Sequence, residues 1–158
     1  LDLADATHAA AFLDLLEHYA QDPMGGGDGL SEHAHTHLVD ALKGLPGFHG
    51  ALAFSSDTPV GLIDCFISFS TFAAKPLLNV HDIVVRDTHR GQGVGQALLA
   101  WAEQRARVVG CCKLTLEVLA NNHRAMTAYQ RAGYVPYELD PAAGQALLMQ
   151  KTLFSEEG

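Results

Sequence analysis

The chain has 158 residues, 48% apolar and 18% charged, which suits one domain with its own core and excludes intrinsic disorder for most of its length. Lys and Arg number 10 against 18 Asp and Glu, a net charge of −8 that argues against a nucleic-acid partner and fits a cationic or neutral one. The 3 cysteines, two of them adjacent (Cys111, Cys112), make neither a disulfide framework nor a C-x-x-C metal clip.

The start of the chain carries Asp2, Asp5 and Asp14 and lacks the basic region of a secretory signal. No apolar run reaches the ~18 residues of a spanning helix, so no membrane is expected and the cytoplasm is the expected compartment. The first residue is Leu, which leaves room for a residue or a short strand upstream. Residues 4–19 read as a helix, with Ala9, Phe12, Leu13, Leu16 and Tyr19 recurring on one face. Pro23 and the glycine run 25–29 stop it and predict a mobile loop, a lid candidate. Ser31 is the expected N-cap of a second helix reaching Leu42. Residues 48–55 and 60–72 read as strands around the turn 56–59, and residues 77–86 as a third strand. A turn-rich patch, 87–95, leads into a helix over 94–109 with Val94, Leu98, Trp101, Arg105 and Val108 along one stripe. Residues 113–119 alternate as a strand, and 122–132 form a helix closed by Gly133. Residues 134–139 and 146–153 predict a last hairpin. There is no internal repeat and no linker, so residues 1–158 are expected to form one mixed α/β domain.

The segment from Ile83 to Gly95 is the most informative. It is a strand, a glycine-rich turn and a helix start. Alternating glycines let a ligand approach the backbone, and their N–H groups with the first helical turn make a nest for an anion such as a pyrophosphate. A P-loop would need Lys-Ser/Thr after the glycines. A dinucleotide loop, G-x-G-x-x-G, fails at Gln96 in one register and at Leu98 in the other. Arg90-Gly91-Gln92-Gly93-Val94-Gly95 instead satisfies R/Q-x-x-G-x-G/A at every specified position.

That pattern resembles the GCN5-related N-acetyltransferases, or GNAT family. A second signature of that family, N-x-x-A-x-x-x-Y-x-x-x-G-F/Y, is matched from Asn122 through Ala125, Tyr129 and Gly133 to Tyr134. The likeness is strong over residues 78–136. Residues 60–95 look most like the diamine and spermidine/spermine branch, although His81 and Ala20 stand where that branch carries acids. The resemblance implies a mixed, mostly antiparallel sheet flanked by helices. The family's fourth and fifth strands, here those around Ile83–Val85 and Lys113–Val118, splay to hold CoA.

It also implies an acetyl-CoA-dependent N-acetyltransferase with direct transfer to a primary amine of a small molecule such as an amino acid or diamine. The rivals are a protein N-terminal or lysine acetyltransferase and a non-catalytic CoA-binding domain. Ile83, Val84 and Val85 would pair with the pantetheine arm. Arg90, Gly91, Gln92, Gly93, Val94, Gly95 and Gln96 would hold the pyrophosphate, with Asn122 and Ala125 at the cofactor's other side. Tyr129 matches the general acid that protonates the leaving sulfur. The general base is one of His81, Asp82 and Glu117. A histidine suits proton removal near neutrality, and neighbours on a regular strand face opposite ways, so His81 and Asp82 are not expected in one cleft. Tyr19 and His81 are the expected substrate contacts. His33, His35 and His37 do not share one helix face, so no metal site is expected. Small members of the family often pair, and residues 146–153 offer an edge for a homodimer.

Overall fold

The computed structural model describes residues 1–153. Helices α1 (Ala6–Gln21) and α2 (Glu32–Lys43) come first. Strands β1 (Phe48–Ser55), β2 (Thr58–Ser70) and β3 (Lys75–Val85) follow, then α3 (Val94–Val109), the short β4 (Leu114–Leu116) and α4 (His123–Arg131). The sheet order is β1-β2-β3-β4, antiparallel except that β4 runs parallel to β3. Parallel neighbours need a crossover, and α3 supplies it. The expected α/β architecture is therefore present, a mixed sheet between two helical layers. No helix of the described residues is long and apolar enough to cross a membrane.

Local chemistry sets the boundaries. Asp5 accepts the N–H groups of Thr7 and His8, so α1 starts at Ala6, two residues later than its apolar pattern suggests. Ser31 caps α2 by accepting from Ala34 at 3.1 Å, as expected. The glycine run does not simply hang between the helices. Gly27 and Gly29 both donate to the Ala20 carbonyl, and Glu17 accepts the Leu30 N–H at 2.8 Å, so the segment folds back on the end of α1.

One sheet face is covered by α1 and α2, through Phe12, Leu15, Leu16 and Leu42 against Leu62 and Val84. The other is covered by α3, through Leu98, Leu99, Ala102 and Ala106 against Ile63, Cys65, Leu78 and Val80. Each large side chain fully buried in this way stabilises by about 1.5–3 kcal/mol. The buried stripe of α3 is not the one its larger residues predict, and Val108 is 76% exposed. The helix turns its two alanines down because small side chains let its axis approach the sheet. On α1 the buried set is likewise Ala11, Phe12, Leu15 and Leu16, with Leu13 and Tyr19 at its margin.

Strand β3 contains one more residue than its partner. Asp64 pairs with Asp82 and Cys65 with Val80, so His81 is an extra residue, a β-bulge. Pairing with β4 covers only Leu78 to Val80 and stops there. Bulges bend a strand and increase its twist. Past the bulge β3 runs away from β4, which is why β4 is three residues long and not the expected 113–119.

The predicted terminal hairpin is a second correction. Residues 134–139 and 146–153 form no strands, and a single bridge joins Glu138 to Gln145. Tyr134 packs against the α3 side of the core, but the aliphatic side chains beyond it do not. Val135, Leu139, Leu147, Leu148, Met149 and Leu153 are 73–86% exposed.

Candidate active site

The glycine turn leaves β3 through a short 3-10 segment, Asp87–His89, and enters α3. Gly91 and Gly93 have φ of +74° and +85°, a backbone region that favours glycine. A Cβ at either would meet nothing within 4 Å, so these positions line an open cradle. Gly93 is the N-cap of α3 and no side chain caps the helix. The unpaired N–H groups of its first turn give the cradle a positive end. The arrangement fits a pyrophosphate-bearing group.

Several neighbours hold the turn in shape. The Arg90 guanidinium meets Asp87 at 2.5 Å and Asp22 at 3.7 Å, and its Nε donates to the Val85 carbonyl at 3.3 Å. Gln92 donates to the Thr88 carbonyl, and Gln96 donates to the Ala128 carbonyl at 2.9 Å, which ties the first turn of α3 to α4. Val94 and Gly95 form the rest of that first turn. Asn122 caps α4, accepting the Ala125 N–H at 3.2 Å.

The split between β3 and β4 opens beside this cradle. Asn79 clamps the two strands just below it, donating to the Thr115 carbonyl and to its hydroxyl, the latter at 3.0 Å. Above the clamp, Ile83, Val84 and Val85 have β2 on one side and no described strand on the other. This is a free backbone edge suited to an amide-bearing arm. Tyr129 packs from α4 against the α3 face of the sheet, and its ring meets Tyr134 edge-on at 6.1 Å. Burial pushes its phenol up to about 12, with Tyr19 and the charge of Asp82 acting in the same direction. It therefore holds its proton throughout the neutral range.

Asp82 on β3 stands directly opposite Asp64 on β2. Asp64 Oδ1 accepts the Asp82 N–H at 3.1 Å, and Asp64 is 3% exposed. Burial raises the Asp64 carboxyl to about 8, and the neighbouring Asp82 charge adds to the rise. Burial also raises Asp82, against the opposing pull of His81 and the hydrogen bond with Asp64. Tyr19, half-buried on α1, is raised by its own burial and by the charges of Asp82 and Asp22. Tyr19, Asp82 and Tyr129 thus share one electrostatic environment.

The bulge corrects the expected facing of His81 and Asp82. The His81 ring stands edge-on to Phe66, with centroids 5.4 Å apart, and Asp82 faces Asp64. Phe66 and Asp64 lie two apart on β2, hence on the same face. The extra residue brings both side chains to that face. Glu117 is exposed on the segment past β4, where no described strand pairs with it. His33 and His37 stack at 4.3 Å while His35 bonds Glu17, so the three histidines do not converge. Asp64 is the residue that sequence reasoning passes over. Its signal is a lone carboxyl in the apolar run 60–67.

Residues 12–134 match the model of the acetyltransferase (GNAT) family. The chain is 34% identical to the aminoalkylphosphonate N-acetyltransferase of Salmonella typhimurium over 56% of its own length and 58% of that protein. It is 34% identical to the uncharacterized N-acetyltransferase YycN of Bacillus subtilis over 75% of its length and 80% of that protein. Among the curated relatives it matches first, the chain spans between 33% and 58% of their length. Among solved structures, AAC(6')-Iy in complex with the bisubstrate analogue CoA-S-monomethyl-acetylneamine superposes with a TM-score of 0.75 at 17% identity, over 93% of each chain. The glycine cradle, the split between β3 and β4 and these likenesses agree: the chain belongs to the GNAT acetyltransferase family.

Proposed function

We propose that this protein is an acetyl-CoA-dependent N-acetyltransferase that moves the acetyl group directly to the primary amine of a small molecule. The observation that carries it is one juxtaposition. The open cradle at Gly91 and Gly93 and the free edge of Ile83–Val85 lead to a split strand pair, and there the charge of Asp82 helps burial to raise the Tyr129 phenol. Acetyl-CoA, when bound, supplies the activated acyl group as a thioester. Arg90 to Gln96 hold its pyrophosphate, and Ile83 to Val85 its pantetheine arm. Asn122 and Ala125 order the start of α4 beside it. In the transfer a C–S bond breaks and a C–N bond forms. The nitrogen gives up a proton to a base in the cleft, and the sulfur takes one from Tyr129. Tyr19 and His81 face the acceptor.

A relative named for aminoalkylphosphonates supports a small-molecule acceptor. The polyamine branch is a finer reading. Its extra acids are replaced by His81 and Ala20, which leaves Asp82 and Asp64 as the negative end of the cleft and favours a short amine or diamine. The cytoplasm is the proposed setting, in keeping with three free cysteines. A screen of primary amines with acetyl-CoA, following release of free thiol, tests the function. Turnover with no amine of the panel would retire it.

We also infer a homodimer. The exposed apolar arm, residues 135–153, leaves the body at Val135 beside a groove of about 660 Å³ lined by Leu114, Ala132 and Tyr134. No described strand covers the outer edge of β4. The arm of a second copy covers both. Sedimentation equilibrium should give a dimer at micromolar concentration, and a chain truncated after Glu138 a monomer. A monomeric full-length chain would overturn it.

A further inference from the structure

Two carboxyls face each other at the bulge with no Lys or Arg partner among the described residues. The ion pairs of the described residues that use Lys or Arg engage Asp14, Asp22, Asp40, Asp87 and Glu103, and none reaches Asp64 or Asp82. Like charges directly opposite on a sheet repel, and in a desolvated site two carboxyls cannot both ionise. Such a pair holds one proton between its members and presents a single negative charge. Burial runs in one direction: Asp64 is buried, Asp82 is partly exposed and His81 is exposed. The outer carboxyl is the one a ligand can reach.

We propose that Asp64 and Asp82 act as one proton-sharing pair that receives the acceptor as its ammonium ion, Asp82 taking the ammonium proton and Asp64 positioning Asp82. The proposal rests on the acetyl-transfer reading and names the charge state of its acceptor. The missing cation of the pair is the substrate's own. An N–H bond of the ammonium breaks, its electron pair stays on nitrogen, and the proton forms an O–H bond on Asp82. The neutral amine left behind is the nucleophile. Asp64 acts through Asp82 in two ways. One oxygen accepts the Asp82 N–H and so fixes the bulge. Its own proton is shared with the Asp82 carboxylate, which keeps that carboxylate the sole anion.

The raised carboxyl of Asp64 agrees with this arrangement. The titratable groups facing the pair are His81 beside Asp82, Tyr19 from α1, Tyr129 from α4 and the Cys65 thiol next to Asp64. Burial pushes the two phenols and the thiol upward, so none adds negative charge near neutrality. His81→Gln serves as the control for the imidazole beside Asp82.

The test has two arms. Infrared titration of the free protein in heavy water reads the C=O stretch of a protonated carboxyl. The wild type should keep one such band above about pH 6, where ordinary carboxyls are ionised, and lose it near the value of about 8 given by Asp64. Asp64→Asn should abolish the band while His81→Gln keeps it. In the second arm, kcat/KM is followed against pH with the best amine found. Asp82→Asn should cost roughly 10²–10⁴-fold, the range of a lost proton acceptor. Asp64→Asn retains an acceptor for the Asp82 N–H but cannot share a proton. It should cost less than about tenfold and remove the inflection near 8. An equal loss in the two variants would leave no division of roles between the two carboxyls and overturn the assignment. Absence of the band in a protein that acetylates amines would overturn the shared proton alone. A band without turnover on any amine would overturn the acceptor role together with the acetyl-transfer reading.

Discussion

Replacing Gly93 by Val separates binding from folding, because the two penalties arise from different atoms. The residue has φ of +85° and caps α3. A non-glycine residue in that region costs about 1–2 kcal/mol. Loss of a favoured N-cap residue adds up to about 1 kcal/mol. There is no packing penalty, since a Cβ at Gly93 meets nothing within 4 Å. The sum, about 1–3 kcal/mol, corresponds to a Tm lower by roughly 2–12 °C in a chain of this size. The variant therefore stays folded at 25 °C. The same isopropyl group stands in the cradle where a pyrophosphate would lie, so CoA affinity should fall by well over tenfold, or more than about 1.4 kcal/mol. Gly61→Ala is the converse case. Its Cβ would meet Val94 Cγ1 at 2.9 Å, Leu98 Cδ1 at 3.1 Å and the Val84 carbonyl at 3.2 Å. Overpacking of that kind costs about 1–3 kcal/mol, yet it leaves the cradle open. Calorimetric titration with CoA and thermal melts of both variants give the comparison. Full CoA affinity in folded Gly93→Val would refute the cradle as the cofactor site.

Tyr129→Phe keeps the ring and its contacts with Tyr134, so kcat should drop by about 10²–10⁴-fold while CoA affinity stays near normal. An undiminished kcat would make the phenol structural. His81→Gln should raise KM for the amine and leave the acidic limb of the pH profile where it is. A moved limb would give the base role to His81. Folding stability should fall as pH rises between about 4 and about 8. Over that window the folded state retains the Asp64 proton that the unfolded chain has released. Urea midpoints at both ends of the window should differ in the wild type and converge in Asp64→Asn. An undiminished slope in the variant would assign the pH dependence to other groups.

The cradle was legible because its information is local: glycines at alternate positions between a strand and a helix need no tertiary contact to be understood. The signature around Asn122 and Tyr129 was legible for the same reason, since the N-cap and the following helix lie within it. The bulge was less so, although β3 carries a trace of it. Leu78 and Val80 face α3, and so do Ile83 and Val85, which means the apolar phase slips by one between them. Asp64 depends on a partner 18 positions away and on burial from both sides of the sheet, neither of which an apolar run with one acid in it announces. Residues 134–153 show the opposite failure. Their alternating pattern is that of strands, but alternation supplies only half of a ladder, and among the described residues a single bridge is all that forms.

A strand with a surplus residue can also be read as a length gauge. Remove His81, and Val80, Asp82, Ile83 and Val84 follow one another with every side chain on the face it now occupies, and the ladder with β2 closes without a step. The deletion gives up the edge-on contact with Phe66 and leaves the buried apolar residues of β3 on their present faces. The straightened β3 would then be free to continue its pairing with β4 past Leu116, extending the ladder over the slot that now stays open. The shortened protein should melt higher, with longer and better protected β3–β4 pairing, and it should be unable to admit a pantetheine arm. Under the proposed function, one surplus residue would then set stability against access to the slot.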